Sequence, residues 1–165
     1  HPAYIDALAA SVETAWAKIP DKPDVLVASY HGMPQRYLRQ GDPYHCQCQK
    51  TTRLLRERLD WPEDRIITTF QSKFGPEDWL QPYTVEEVAR LAEAGKTNIA
   101  VIAPAFSADC IETLEEINEE ICESFEHAGG QNFTYIPCLN DSPAHIDALA
   151  EIVSDNLAGW IKKGR

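Results

Sequence analysis

At 165 residues, with 44% hydrophobic and 25% charged side chains, the chain can bury one core of ordinary size and is short for two. A net charge of −11, with 15 basic residues scattered along the chain, excludes a nucleic-acid partner, because neutralising phosphates takes clustered Lys and Arg. The longest apolar run, Ile99 to Phe106, is far shorter than the roughly 20 residues a membrane-spanning helix needs.

From the amino end, HPAYIDALA (His1 to Ala9) reads as the first turns of a helix, with Pro at its first position. DVLVASY (Asp24 to Tyr30), RIITTF (Arg65 to Phe70), NIAVIAP (Asn98 to Pro104) and NFTYIPC (Asn132 to Cys138) are short, β-branched and nearly continuous apolar runs. Strands covered on both faces read this way. Between and after them, apolar periodicity predicts helices over Cys46 to Leu59, Thr84 to Ala94, Asp109 to His127 and Ser142 to Ile161. Thr84 and Ser142 suit N-caps, and Gly95 and Gly129 suit stops. Four βα units in succession predict an α/β domain, a four-stranded parallel sheet flanked by helices on both faces.

In such sheets ligands bind beyond the carboxyl ends of the strands. His31 sits at the exit of the first strand, followed by Gly32 and Pro34. A lone histidine is more often structural, but a stiff, exposed perch suits an imidazole that accepts a proton or ligates a metal. QSKFGPEDWLQPY and AFSADCIE emerge on the same edge after the second and third strands. In DCIETLEEINEEICESFEH, helical spacing puts Ile111, Leu114, Ile117, Ile121 and Phe125 on one face and Glu112, Glu116, Glu120 and Glu123 on the other. Stacked carboxylates repel by a few tenths of a kcal/mol per pair, so the acidic face reads equally as a solvated surface or as a track for a divalent cation.

Five cysteines without secretory features imply reduced thiols and a cytoplasmic location. Cys46 and Cys48 form a C-x-C, and no ferredoxin-type spacing is present, so an iron–sulfur cluster is not expected. The chain opens on His1 without a signal pattern, which predicts a start further upstream. An internal repeat agrees: HPAYIDALA and SPAHIDALA (Ser142 to Ala150) match at seven of nine positions. If the second opens the last helix of this domain, the first opens the last helix of an earlier, related one. Residues 1–20 are therefore expected to close a missing amino-terminal lobe, and residues 21–165 to form the carboxyl-terminal lobe.

Taken in order and spacing, SYHGMPQRYLRQGDPYHCQCQKTTRLL, QSKFGPEDWLQPYT, PAFSADCIETLEEI and PCLNDSPAHIDALA closely resemble the carboxyl-terminal half of bacterial ferrochelatases, over essentially the whole chain. The resemblance implies a chelatase-like, Rossmann-like lobe, one of two that enclose a porphyrin cleft, and insertion of Fe2+ into protoporphyrin IX to give protoheme. On the same resemblance both are substrates, no organic cofactor is implied, and the amino-terminal lobe is a partner. On this resemblance His31 matches the active-site histidine, Glu112 the glutamate facing it across the porphyrin, and Glu116 and Glu120 the acidic residues leading away, so that these four would handle the metal. Tyr30, Trp79, Phe106 and Asp109 fall among the substrate contacts. Where many relatives carry histidine after the aspartate of the third motif, this chain has Cys110. Whether His31 or Glu112 takes the pyrrole protons stays open. So do a homodimer through an apolar cleft face around Trp79 and Phe106, and peripheral association with a membrane. A cobaltochelatase-like enzyme and a non-catalytic metal- or porphyrin-binding lobe are the rival readings.

Overall fold

The computed structural model describes residues 1–160. Strands β1 (Val25–His31), β2 (Ile66–Gln71), β3 (Asn98–Ile102) and β4 (Asn132–Ile136) form one sheet in the order β2-β1-β3-β4. Every neighbouring pair is parallel, with Ala28 opposite Thr68 on one side and Ile102 on the other. The central strands β1 and β3 are buried along almost their whole length, which is why they are written in Val, Ile, Leu and Ala. The third and fourth strands stop before Pro104 and Pro137, which have no N–H to continue a ladder.

Helices α1 (Pro2–Trp16), α2 (Gln35–Arg39), α3 (Tyr44–Leu59), α4 (Thr84–Glu93), α5 (Ile111–Leu114), α6 (Cys122–His127) and α7 (Pro143–Asn156) surround the sheet. One face packs Leu26, Ala28 and Tyr30 against α1 and α3, and the other packs Val25, Val27, Ile99 and Val101 against α4 and α6. Helices therefore cover both faces, as a buried parallel sheet requires. No described helix is long and apolar enough to cross a membrane.

Ile5, Leu8, Ala9, Val12 and Trp16 of α1 are buried in the same core as β1 and α3, so α1 packs on this lobe. Three expectations change. Thr84 is the first residue of α4 rather than its cap, and its hydroxyl points inward to Ser29 and Thr69. The short helix α2 lies where only a loop is expected. The helix expected over Asp109 to His127 is broken by a π-helical stretch, Glu116–Ile121, between α5 and α6. The extra residue per turn rotates α5 relative to α6. Thr113 is thereby brought into the core in line with Ile117, Ile121 and Phe125, while Ile111 and Leu114 are left 67% and 50% exposed. The last helix ends at Asn156, and Ile161, its expected end, lies outside the described residues.

Burial of a side chain the size of leucine contributes about 1.5–3 kcal/mol, and a cavity adds to the loss when it is truncated. Leu8→Ala in α1 is therefore expected to lower stability by about 2–5 kcal/mol in urea unfolding followed by tryptophan fluorescence. A change under about 0.5 kcal/mol would mean that α1 is not part of this core.

Candidate active site at the carboxyl edge of the sheet

His31 is the last residue of β1. Its Nδ1 lies 2.8 Å from the carbonyl oxygen of Gly32. A carbonyl only accepts, so Nδ1 carries the hydrogen and the lone pair of the neutral ring is left on Nε2. The main-chain oxygen of His31 accepts from Tyr44 Oη at 2.8 Å, which braces the strand end from α3. Gly32 N–H donates to Gln71 O at 2.7 Å, and a β-carbon at Gly32 would lie 2.8 Å from that oxygen and 3.0 Å from the Trp79 ring. Only glycine permits this approach. The loops after β1 and β2 are then laced together by Gln35 N–H to Asp78 O and Leu80 N–H to Met33 O. That lacing sets Trp79 against His31, with ring centroids 6.5 Å apart, while Phe106 from the loop after β3 stands 6.3 Å away. Both aromatic side chains are half-buried. The indole N–H of Trp79 is buried and meets no acceptor among the described residues.

Glu112 stands in the first turn of α5. A hydrogen bond from the Cys110 thiol, its own backbone N–H and the nearness of His31 hold its carboxyl below the ordinary range, so it is an anion at neutral pH. Cys110 also caps α5, where its thiol and the Thr113 hydroxyl satisfy each other's backbone N–H groups.

Glu116 is differently placed. Its carboxylate accepts from Ser72 N–H at 2.6 Å, Ser72 Oγ at 2.5 Å and Gln71 Nε2 at 3.1 Å. Gln71 Nε2 also donates to the carbonyl of Glu112 at 2.7 Å, and its Oε1 accepts from Ser29 Oγ at 2.7 Å. Gln71 is 4% exposed, and Ser72 aims its N–H by taking φ +60°, a left-handed conformation uncommon outside glycine. The end of β2 thus grips both the first turn of α5 and the π-helical stretch. Glu120 is exposed. Ile111, Glu112, Glu115, Glu116 and Glu120 line an open hollow of about 250 Å³, but among the described residues no three His, Cys, Asp or Glu side chains gather closely enough to hold an ion. The expected metal set of His31, Glu112, Glu116 and Glu120 is therefore spread along an edge, and one of its members is already engaged by protein donors.

Two of the expected substrate contacts turn away from the edge. Tyr30 is 2% exposed and points to the opposite face of β1, where its hydroxyl meets Thr52 and its ring meets Phe70. Alternation along a strand explains this: neighbours His31 and Tyr30 cannot share a side. Asp109 turns inward. Its Oδ1 accepts from Tyr135 Oη at 2.5 Å and Cys138 N–H at 3.1 Å, and its Oδ2 accepts from Asn140 Nδ2 at 2.7 Å. It ties the loop after β3 to the loop after β4. His145, which sequence reasoning did not single out, belongs to the same junction: it is 1% exposed, donates from Nδ1 to Asn140 O at 2.6 Å and faces Ser107 Oγ with Nε2. Its position in the repeat, opposite Tyr4, was the available signal.

His31, Glu112, Trp79 and Phe106 all lie at or after strand ends, on the edge where open parallel α/β lobes of this class bind their ligands. A family model described as ferrochelatase matches residues 1–157. The ferrochelatase of Rhodobacter capsulatus is 73% identical over 160 residues, which are 97% of this chain and 46% of that protein. Those of Rhizobium meliloti (strain 1021) and Marinobacter nauticus are each 56% identical over 97% and 96% of the chain and 47% and 43% of their own lengths. The chain belongs to the ferrochelatase family, and it spans about half the length of the curated relatives it matches.

Burial raises the pKa of Asp109, but the hydrogen bonds from Asn140, Tyr135 and Cys138 outweigh it and hold the carboxyl below its ordinary value. A lowered folded-state pKa contributes stability above the unfolded value and loses it as pH falls through the folded one. Asp109→Ala is expected to cost about 1–3 kcal/mol at pH 7, and the gap to the unsubstituted chain should close below about pH 4. An equal gap at pH 3 and pH 7 in urea unfolding would contradict this role.

Proposed function

We propose that this chain is the carboxyl-terminal lobe of a ferrochelatase, acting in heme biosynthesis to insert Fe2+ into protoporphyrin IX. The observation that supports the reading is the set of groups at the sheet edge: an imidazole whose lone pair is left on Nε2, two aromatic rings about it that can lie against a flat macrocycle, and, in the first turn of α5, a carboxylate held ionised.

Insertion exchanges two pyrrole N–H protons for one metal dication. Fe2+ and the free porphyrin give protoheme and two protons, so the site must take up protons while a cation approaches. Neutral His31 can accept one proton at Nε2. The imidazolium so formed is stabilised by the Glu112 anion. The acidic hollow beside them attracts the metal substrate electrostatically, and Glu120 and Glu115 are free to meet it in a way Glu116 is not. Trp79 and Phe106 bear on the ring, and favouring a bent macrocycle over a flat one would expose the nitrogen lone pairs, a case of binding the transition state better than the substrate. On this reading a second lobe supplies the opposite wall of the cleft, and the reaction belongs to the two-lobed protein in the cytoplasm.

In that two-lobed protein, His31→Ala is expected to lower the rate of heme formation by at least about a hundredfold, and Glu112→Gln to impair it severely, with melting temperatures within about 2 °C of the parent because neither side chain is part of the core. The check is an anaerobic assay with Fe2+ and protoporphyrin beside thermal unfolding. Near-normal turnover in both variants would remove these residues from the chemistry.

A further inference from the structure

The repeated segment gives α1 and α7 the same apolar stripe. Aligned from Pro2 and Pro143, Ile5 corresponds to Ile146, Leu8 to Leu149, Val12 to Val153 and Asp6 to Asp147. In α1 the stripe is covered: Ile5, Leu8 and Val12 are 8%, 2% and 0% exposed in the core they share with α3 and β1. On its margin Asp6 is paired with Arg58 of α3 at 2.6 Å. In α7 the same stripe is bare. Ile146, Leu149 and Val153 are 50%, 38% and 53% exposed, and Asp147 joins no ion pair among the described residues. The other side of α7, through His145 and Ala148, is what packs on this lobe, next to α1.

Identical side chains at identical helical offsets call for the same kind of surface. The seat that α1 occupies is a parallel sheet face closed by a helix carrying an arginine. We infer that α7 is an exchanged helix: its Ile146, Leu149 and Val153 stripe seats on a second α/β lobe of the same build, with a basic residue of that lobe opposite Asp147. This rests on the two-lobed reading above but not on its chemistry. Sequence enough for such a lobe exists in the relatives, of which the matched segment is under half. A second copy of this chain fits less well. Its equivalent seat already holds its own α1, so it could offer only α7 against α7, which sets Asp147 and Glu151 of one copy beside those of the other.

The test compares two proteins: residues 1–165 alone, and a full-length chimera in which this chain replaces the matched segment of the Rhodobacter capsulatus relative. Each is made with and without the triple substitution Ile146→Asp, Leu149→Asp and Val153→Asp. The expected result is a fall of at least about 5 °C in melting temperature in the chimera, little change in the isolated chain, and slower amide exchange over Pro143–Asn156 in the chimera than in the isolated chain. An equal fall in both proteins would overturn the inference, since the stripe would then belong to this lobe. So would no fall in the chimera, or an isolated chain that sediments as a dimer and is dispersed by the substitutions. Heme formation is scored separately, so an inactive chimera with the expected melting shift counts against the reaction alone.

Discussion

The site depends on the grip that the end of β2 takes on the segment after β3. Gln71 and Ser72 bring three donors to the Glu116 carboxylate and a fourth contact to the Glu112 carbonyl. Hydrogen bonds to a charged acceptor contribute about 1.5–3 kcal/mol each, enough to hold a π-helical stretch that is otherwise a poor competitor with regular helix. The grip is itself anchored, because Gln71 Oε1 is held by Ser29 of β1, whose hydroxyl also meets Thr84 at the start of α4. A buried line of polar groups therefore runs from the middle of the sheet to its carboxyl edge. Every member has a partner, which a buried polar line must have if it is to specify one arrangement.

From that grip comes the rest of the edge. The wide turn leaves Glu112 at the edge and exposes Ile111 and Leu114 instead of burying them. Gly32 lets β1 and β2 approach closely enough for Trp79 to reach His31. On the far side, Asp109 and His145 bind the loops after β3 and β4 into one unit behind Phe106. Loops would ordinarily be the mobile part of such a lobe. Here they are cross-linked to one another and to the sheet, which suits the proposed insertion of a metal into a macrocycle.

The parts of this arrangement that were legible in the sequence are those written in local pattern. The Val and Ile runs of β1 and β3 announced buried parallel strands, and the Gly32 and Pro34 just beyond His31 announced a loop with special geometry. The parts that were not legible depend on pairings between residues far apart in the chain. Nothing in EINEEI distinguishes a π-helical stretch from ordinary helix, because its cause lies in Gln71 and Ser72, more than forty residues earlier. Tyr30 and Asp109 lie next to site residues in sequence but face away from the edge, one by strand alternation and the other through a carboxylate drawn inward by Tyr135 and Asn140. The repeat was visible, but the packing of α1 in this core shows only in its burial.

Gln71, on this account, fixes the π-helical stretch and with it the site. The most direct measurement is amide hydrogen exchange across residues 111–121 in the chain and in Gln71→Leu, which keeps the bulk but removes the amide. Exchange over this segment is predicted to rise at least about tenfold in the variant, while β1 and β3 keep their protection. Unchanged protection over residues 111–121 in a folded variant would contradict it.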